Sequence, residues 1–500
     1  MKKLYMTMMK NMLKGNKKAI IAMLCGLAFI VGVICTEKVK ATLKVNYNIS
    51  SKLDVLPAHK ILPVADSLAS TLPFINDSLC FIKDPENSMS AFFNELVDLL
   101  NGKDTVINIV HLGDSHIQAG FLSGRTMRLM QNSFGNAGRG WIAPFKLSKL
   151  NEPNDYYISS NIKEWIAGRC VQLRPKCPWG IGGIGIQTDA KDIGFDLIMT
   201  PTNGAGYSFN KVVLYRDLHS TPMIPRYENR DSVSEISWGT QPYENNIAID
   251  TFVTKNLIDT FSIKSANVNM DGEAIKKSKS NRYYGFMLMN SNPGILYHSI
   301  GVNGAKFTDY TSREYIRQLS LLKPSLLIIS LGTNESFGKY FKKDAFEDQI
   351  DALISLIREE IPEATLLITT PAETYKRVYR NKKYQYVRNE NIAKVADVIS
   401  SYTKDNGIAS WDFYSVSGGD NSCQKWYNAK LLGRDRIHFS RDGYEEQGTL
   451  LYKAIIRSCT SGQYTFDTMA SAGETTKTEI NTIEAADMDE ETGKEGQDVE

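Results

Sequence analysis

Apolar residues along this chain follow two alternating rhythms. From residue 90 they recur first at helical spacing over Ser90–Leu100, then as a short β-branched run, TVINIVHL over Thr105–Leu112, the pattern of a strand buried on both faces. Gly113-Asp114-Ser115-His116 ends that run. Phe121, Leu122, Met127, Leu129 and Met130 then mark a helix over Gly120–Phe134, closed by Gly135. Between about Tyr156 and Tyr297 the spacing changes to short alternating stretches (Lys211–Tyr215, Ile247–Val253, Tyr284–Met289) separated by Gly, Asn, Asp and Pro clusters, as in an all-β module. From Thr311 the first rhythm returns: helix Ser312–Leu322, strand Ser325–Ser330, helix Lys343–Ile361, strand Thr365–Thr370, helix Asn389–Lys404, strand Ile408–Phe413. Alternating strands and helices imply a parallel sheet with helices on both faces. One α/β domain, begun near residue 90, finished near 460 and interrupted by a β-rich, sandwich-like insertion, accounts for both rhythms.

The two ends read differently. Lys2, Lys3, Lys10, Lys14, Lys17 and Lys18 precede an apolar run from Ala19 to Cys35, about seventeen residues and near the lower limit for crossing a bilayer. Val39-Lys40-Ala41 would serve as a weak signal-peptidase site, but the run exceeds the h-region of about 7 to 15 residues usual in a cleaved leader, so an uncleaved anchor is expected. Lysines on the leading side place the chain after about residue 40 outside the cytoplasm, in the cell envelope: anchored in the inner membrane with its body in the periplasm, or secreted there if the leader is cut. Residues 42–89 carry little periodic signal and read as a tether. After Ser461 the chain turns acidic and almost free of aromatics, a composition that does not offset chain entropy by burial and is expected to be disordered. The expected plan is therefore anchor 1–41, tether 42–89, α/β domain 90–145 and 294–462, inserted module 146–293 and acidic tail 463–500.

A formal net charge of +2 calls for neither a nucleic acid nor an acidic ligand. Outside the apolar run the cysteines are Cys80, Cys170, Cys177, Cys423 and Cys459; an exported chain can pair some of them, and Cys170 and Cys177 are near enough to close a small loop. No Cys/His group has zinc spacing, and no metal or organic cofactor is expected.

Chemistry gathers where strands end. Ser115 sits between a buried strand and a helix, where its N–H also lies near a helix N-terminus that favours a developing anion. Alone it reads equally as a plain turn with Asp114 or Ser115 capping. SLLIISLGTN (Ser325–Asn334) is a second buried strand whose end points the Asn334 amide toward the same crevice. SIGVNG (Ser299–Gly304) precedes it with glycines that let a backbone N–H approach a substrate. Asp435-Arg436-Ile437-His438 lies on a loop before the last helix. A hydroxyl needs an adjacent base and the base an orienting partner, and His438 with Asp435 supplies both. His111 alternates into its strand and reads as a core residue. His116 is too close along the chain to Ser115 to serve as its base. Tyr375–Arg388 interleaves four tyrosines with six cations and reads as a solvated amphipathic helix, with glycan contact the alternative. His116, Tyr375 and Trp426 are candidates for the substrate rim, Trp426 being equally placed for the core.

These four blocks in this order resemble the SGNH (GDSL-like) hydrolases, whose fold is a flavodoxin-like parallel sheet. The resemblance implies Ser115 as nucleophile, Asp435 and His438 as its dyad, and an oxyanion hole from the N–H groups of Ser115 and Gly304 (Gly301 the alternative) and the Asn334 amide. Gly113–Gly140, with AGRG at Ala137–Gly140, is closer still to bacterial O-acetylpeptidoglycan esterases, which also split the catalytic domain with a β-rich module. His116 and Glu335 depart from the usual leucine and aspartate. Ser115 and His438 stand about 320 residues apart, and removing an insertion of roughly 145 restores an ordinary domain size. The expectation is a serine esterase acting on an O-acetylated envelope polysaccharide, peptidoglycan first. An O-acetyltransferase using the same residues, or a glycan-binding protein without activity, is the alternative.

Overall fold

The computed structural model describes residues 58–68, 70–200, 207–226, 236–243, 246–267 and 274–461. The expected anchor at 1–41 and acidic tail at 463–500 lie outside the described residues. Among the described residues no helix is long and apolar enough to cross a membrane.

Five strands form the parallel sheet: β1 (Val106–Gly113), β2 (Gly294–Gly301), β3 (Leu326–Ser330), β4 (Thr365–Thr369) and β5 (Ala409–Trp411). Their order is β2-β1-β3-β4-β5, every neighbouring pair parallel. This is the flavodoxin-like, doubly wound arrangement, in which the chain steps to one side of β1 and then crosses to the other. The strands are continuous apolar runs because both faces are covered. Seven principal helices cover them: α1 (Ala58–Ser67), α2 (Ser90–Leu100), α3 (Phe121–Phe134), α4 (Arg313–Leu319), α5 (Lys343–Glu360), α6 (Glu390–Asp405) and α7 (Arg441–Ser461). Helix α3 packs on α7 and α2, while α5 packs on α4 and α6, giving two separate helix groups. Along α5, Phe346, Ile350, Leu353, Ile354 and Ile357 form the buried stripe that a 3.6-residue period dictates.

The inserted module leaves the domain after α3 and returns at β2. It is built from two antiparallel sheets, of seven and four strands. Phe195 of the smaller sheet meets Tyr283 and Phe286 of the larger at ring separations of 5.0 and 5.6 Å, so the sheets face each other across an aromatic core. Arg216 and Asp250, both almost wholly buried, pair at 2.8 Å, and Asp250 also accepts from Thr240 and the Met223 N–H.

Three expectations change. Residues 58–89 are not a tether: α1 packs on α7, Cys80 and Ile82 are buried, and Lys83 bridges in β fashion to Ser410. Beyond α1 the apolar residues of this stretch dock singly into the domain, which leaves no periodicity to read there. Tyr375–Arg388 is a two-stranded hairpin, Tyr375–Arg380 paired with Lys383–Arg388, and not a helix. Its turn puts Asn381 and Lys382 at φ of 52° and 60°, the left-handed pair that a two-residue hairpin loop requires. Cys170 and Cys177, like the other described cysteines, are free, buried thiols.

The Nζ of Lys453 is fully buried on α7 and reaches the Asp77 carboxylate, which also binds Arg457 at 2.9 Å. Asp77→Ala leaves that ammonium buried without its counter-charge and is expected to lower unfolding free energy by about 3 kcal/mol in urea denaturation.

Candidate active site

Ser115 stands just past the carboxyl end of β1, where the sheet order switches from β2 to β3; open α/β sheets leave their crevice there. The turn is held by main chain. Ile117 and Gln118 N–H groups donate to Asp114 O, and His116 N–H donates to the Asp114 carboxylate at 2.9 Å.

The structure brings Ser115, His438 and Asp435 together. Ser115 Oγ lies 2.9 Å from His438 Nε2, and His438 Nδ1 lies 2.7 Å from Asp435 Oδ2. Asp435 Oδ1 also accepts the N–H groups of Ile437 and His438, each at 3.0 Å. Burial alone would raise this carboxyl, but the His438 hydrogen bond and the two backbone donors outweigh it and hold Asp435 at about 2. Its hydrogen bond in turn raises His438 above the ordinary imidazole value. The loop that carries them closes on itself, since Gly433 N–H donates to His438 O at 2.6 Å and Arg436 takes a φ of +63°.

Glycines 301 and 304 differ in kind. A Cβ on Gly301 would lie 2.3 Å from Gln118 N and 2.7 Å from Asp114 O, so this residue lets β2 press against the Ser115 turn. Gly304 has a left-handed φ of +84° and open space around it. Its N–H and that of Ser115 have no hydrogen-bond partner among the described residues, leaving two donors for an anion. Asn334 is held differently from the expectation of an amide aimed freely into the crevice. Its Nδ2 donates to Asp114 Oδ2 at 3.1 Å and to Ala305 O at 3.0 Å, bracing the Ser115 turn against the glycine loop. To donate to an oxyanion it must share or release one of these.

Several residues of this brace carry no readable signal in the sequence. Glu335, whose replacement of aspartate left its bonding open, accepts the Phe307 N–H at 2.8 Å and ties the Asn334 turn to the same loop. Gln118 accepts the Asn303 N–H at 2.8 Å. Burial pushes both Asp114 and Glu335 up to about 7.

Of the expected rim, His116 lines the site beside His438 at 5.4 Å between rings, its Nδ1 bound to Tyr444 OH at 3.0 Å and not to Ser115. Burial, with the His438 charge, pushes it down to about 3. Tyr375 is half-buried and donates its N–H to Arg436 O, next to the dyad. Trp426 is core and not rim: it is 1% exposed, bonds Ser417 O through Nε1 and packs on Phe439. His111 is buried as expected, joined to Tyr297 OH and Ser330 Oγ at 2.7 Å each.

Residues 276–446 match the model of the GDSL-like Lipase/Acylhydrolase family. That span contains Gly301, Gly304, Asn334, Asp435 and His438, while Ser115 precedes it across the insertion. No curated protein matches the chain. The chain is similar in fold to a solved peptidoglycan O-acetylesterase, at 18% identity over 76% of this chain and 99% of that one, with a TM-score of 0.60. A lipase/acylhydrolase from Enterococcus faecalis is 19% identical over 33% of this chain and 76% of its own, with a TM-score of 0.25. A GDSL-like lipase from Bacteroides thetaiotaomicron is 21% identical over 32% and 76%, with a TM-score of 0.26.

The two glycines should respond differently to alanine. Gly301→Ala drives a Cβ into immovable backbone and should cost about 3 kcal/mol, whereas Gly304→Ala meets only left-handed strain of about 1 kcal/mol. Chemical denaturation of the two variants side by side measures this ranking.

Proposed function

We propose that this chain, a carboxylic ester hydrolase with a GDSL-like acylhydrolase domain, removes O-acetyl groups from a cell-envelope glycan, peptidoglycan foremost, through Ser115, His438 and Asp435. One observation carries the reading: an unbroken hydrogen-bonded line from Ser115 Oγ through the imidazole to Asp435, 2.9 and 2.7 Å long, opening on a crevice with uncommitted N–H donors. The fold likeness to a peptidoglycan O-acetylesterase, extending over nearly all of that protein, supports the choice of glycan. The lysine-rich leader and apolar run support a body held outside the cytoplasm, in reach of that substrate.

In the reaction His438 Nε2 takes the Ser115 proton as Oγ attacks the acetyl carbonyl. Negative charge on the carbonyl oxygen falls to the N–H groups of Ser115 and Gly304, joined by the Asn334 amide as it loosens from Asp114. The tetrahedral intermediate collapses when His438 returns its proton to the departing sugar oxygen, leaving acetyl-Ser115. Water then gives a proton to His438 and attacks the acetyl carbon, releasing acetate and restoring the serine.

Incubation with O-acetylated peptidoglycan and measurement of free acetate is the direct test. Wild type should release acetate, Ser115→Ala should not, and Asn334→Ala should be folded but slower by about 100- to 1000-fold. Acetate release by Ser115→Ala at the wild-type rate would refute the reading.

The base must be neutral to act, and Asp435 raises its pKa. The acid limb of kcat/KM should therefore fall as pH drops through an apparent value above 6.5. Asp435→Asn removes the stabilising carboxylate, so that limb should move to lower pH while the plateau drops. A pH profile of both proteins on a small acetyl ester reads the sign.

A further inference from the structure

Beside the dyad loop, the hairpin Tyr375–Arg380 and Lys383–Arg388 stands out from the domain. Its register puts Tyr375, Arg377, Tyr379, Tyr384, Tyr386 and Arg388 on one face. The other face turns inward, with Val378, Gln385 and Val387 half-buried and Lys376 Nζ bonded to Ser336 O. Tyr379, Tyr384 and Tyr386 are 64%, 62% and 40% exposed. They are ordered among themselves: Tyr379 and Tyr384 meet edge to face at 5.0 Å, and Arg377 lies over the Tyr384 ring at 3.8 Å.

Charge on this element is of one sign. No Asp or Glu occurs from Tyr375 to Arg388; Arg377 on the tyrosine face, Arg380 and Lys383 on the other face and Lys382 in the turn join no ion pair among the described residues, while Arg388 pairs with Glu373 and Asp420. The series continues onto the dyad loop itself. Arg436 lies over Tyr427 at 3.1 Å and over Tyr386 at 5.6 Å, and its Nε and Nη1 are buried without a hydrogen-bond partner among the described residues. A guanidinium held against aromatic rings is fixed in orientation, so the part of it left at the surface is pre-organised to meet a carboxylate.

We propose that the tyrosine face of this hairpin and Arg436 form a subsite for a carboxylate-bearing glycan strand, the rings stacking on sugar faces and the cations meeting its carboxylates. The proposal rests on the esterase reading for its catalytic consequence. Tyr375 N–H donates to Arg436 O, so a strand lying on the hairpin runs on past the loop that holds His438. A nucleic acid would meet the same charges but offers no acyl ester to Ser115, and the observations favour the glycan.

The test uses the full chain and three substrates: p-nitrophenyl acetate, O-acetylated peptidoglycan, and the same peptidoglycan with its carboxylates amidated. The readout is kcat/KM on polymer divided by kcat/KM on the small ester, which cancels any disturbance of the dyad. Tyr384→Ala and Arg436→Gln should each lower that ratio about tenfold, through KM more than kcat, as should amidation for wild type. Arg436→Gln should discriminate less than wild type between native and amidated polymer. Unchanged ratios in both variants, equal turnover of native and amidated polymer, or stronger inhibition by single-stranded DNA than by de-O-acetylated peptidoglycan would each overturn the subsite. Co-sedimentation of Ser115→Ala protein with peptidoglycan, with and without Tyr384→Ala, separates the two claims. Binding that depends on Tyr384 with no acetate released by wild type upholds the subsite and sinks only the esterase reading.

Discussion

Strand β1 is paired along both edges, and the site depends on how little room that leaves at its carboxyl end. Gly113 lies opposite Gly301 on one side and Ser330 on the other. A side chain at Gly113 would come within 2.4 Å of Ile117 and 2.9 Å of Ser330 O, and one at Gly301 would meet the backbone of the next turn. Two residues without Cβ atoms thus allow the Ser115 turn to settle between β2 and β3. The position of Ser115, the proposed nucleophile, is then set by main chain, with Asp114, Gln118, Asn334 and Glu335 cross-linking three loops that meet there. This is the stiffness an acyl-transfer site requires, because its donors must already stand where charge will develop.

The same constraint explains how a large module can divide the domain without disturbing it. The chain departs near Gly135 and returns at Gly294, and the two ends are stitched together: Ile295 N–H donates to Gly135 O and Ala137 N–H to Ile295 O. A Cβ on Gly294 would lie 2.3 Å from Gly135 C, so the crossing is as close as backbone allows. From the sheet's side the insertion is a short connection whose interior happens to be folded. Closure entropy grows only as the logarithm of loop length, about 0.6 kcal/mol per doubling, and a module with its own aromatic core offsets its own ordering. Strand β2 therefore reaches its place beside β1 although the β-sandwich intervenes.

Elements whose burial is continuous were legible in the sequence. Four of the five strands of the parallel sheet (β1, β3, β4 and β5) and helices α2, α3, α5 and α6 follow from apolar runs and 3.6-residue spacing, because packing on both sheet faces imposes one period on each; β2 begins inside the stretch that alternates like the inserted module and was not legible as a strand of this sheet. What escaped lacks that signature. Tyr375 and Tyr379 are spaced four apart, which suits a helix as well as alternation, and the deciding turn is Asn381-Lys382 instead of the Asn-Gly that announces a hairpin. After α1, residues 70–89 dock as separate side chains. Trp426 faces Phe74 and Phe439, contacts made across the fold and absent from its neighbours in sequence. The braces of the site escaped for the same reason: Gln118 and Glu335 acquire their roles from a glycine loop distant along the chain.

Four histidines, three of them buried or partly buried and His438 exposed, show how surroundings, and not residue type, would choose the base in the proposed mechanism. His111 and His298 lie inside the sheet, and burial pushes each down to about 3. His116 stands beside Ser115 and is pushed down equally, by burial and by the cation that would form on its neighbour. Each of these rings stays neutral and serves as a packing or hydrogen-bonding body. His438 alone among them has a carboxylate on its second nitrogen, and Asp435 is itself kept ionised by two backbone donors. In the proposed reaction a proton taken from Ser115 is therefore stabilised at His438 and not at the other three rings. His116, anchored by Tyr444 and pushed down by burial, forms a wall that competes poorly for a proton, so the proposed mechanism gives the serine one favoured route for its hydrogen.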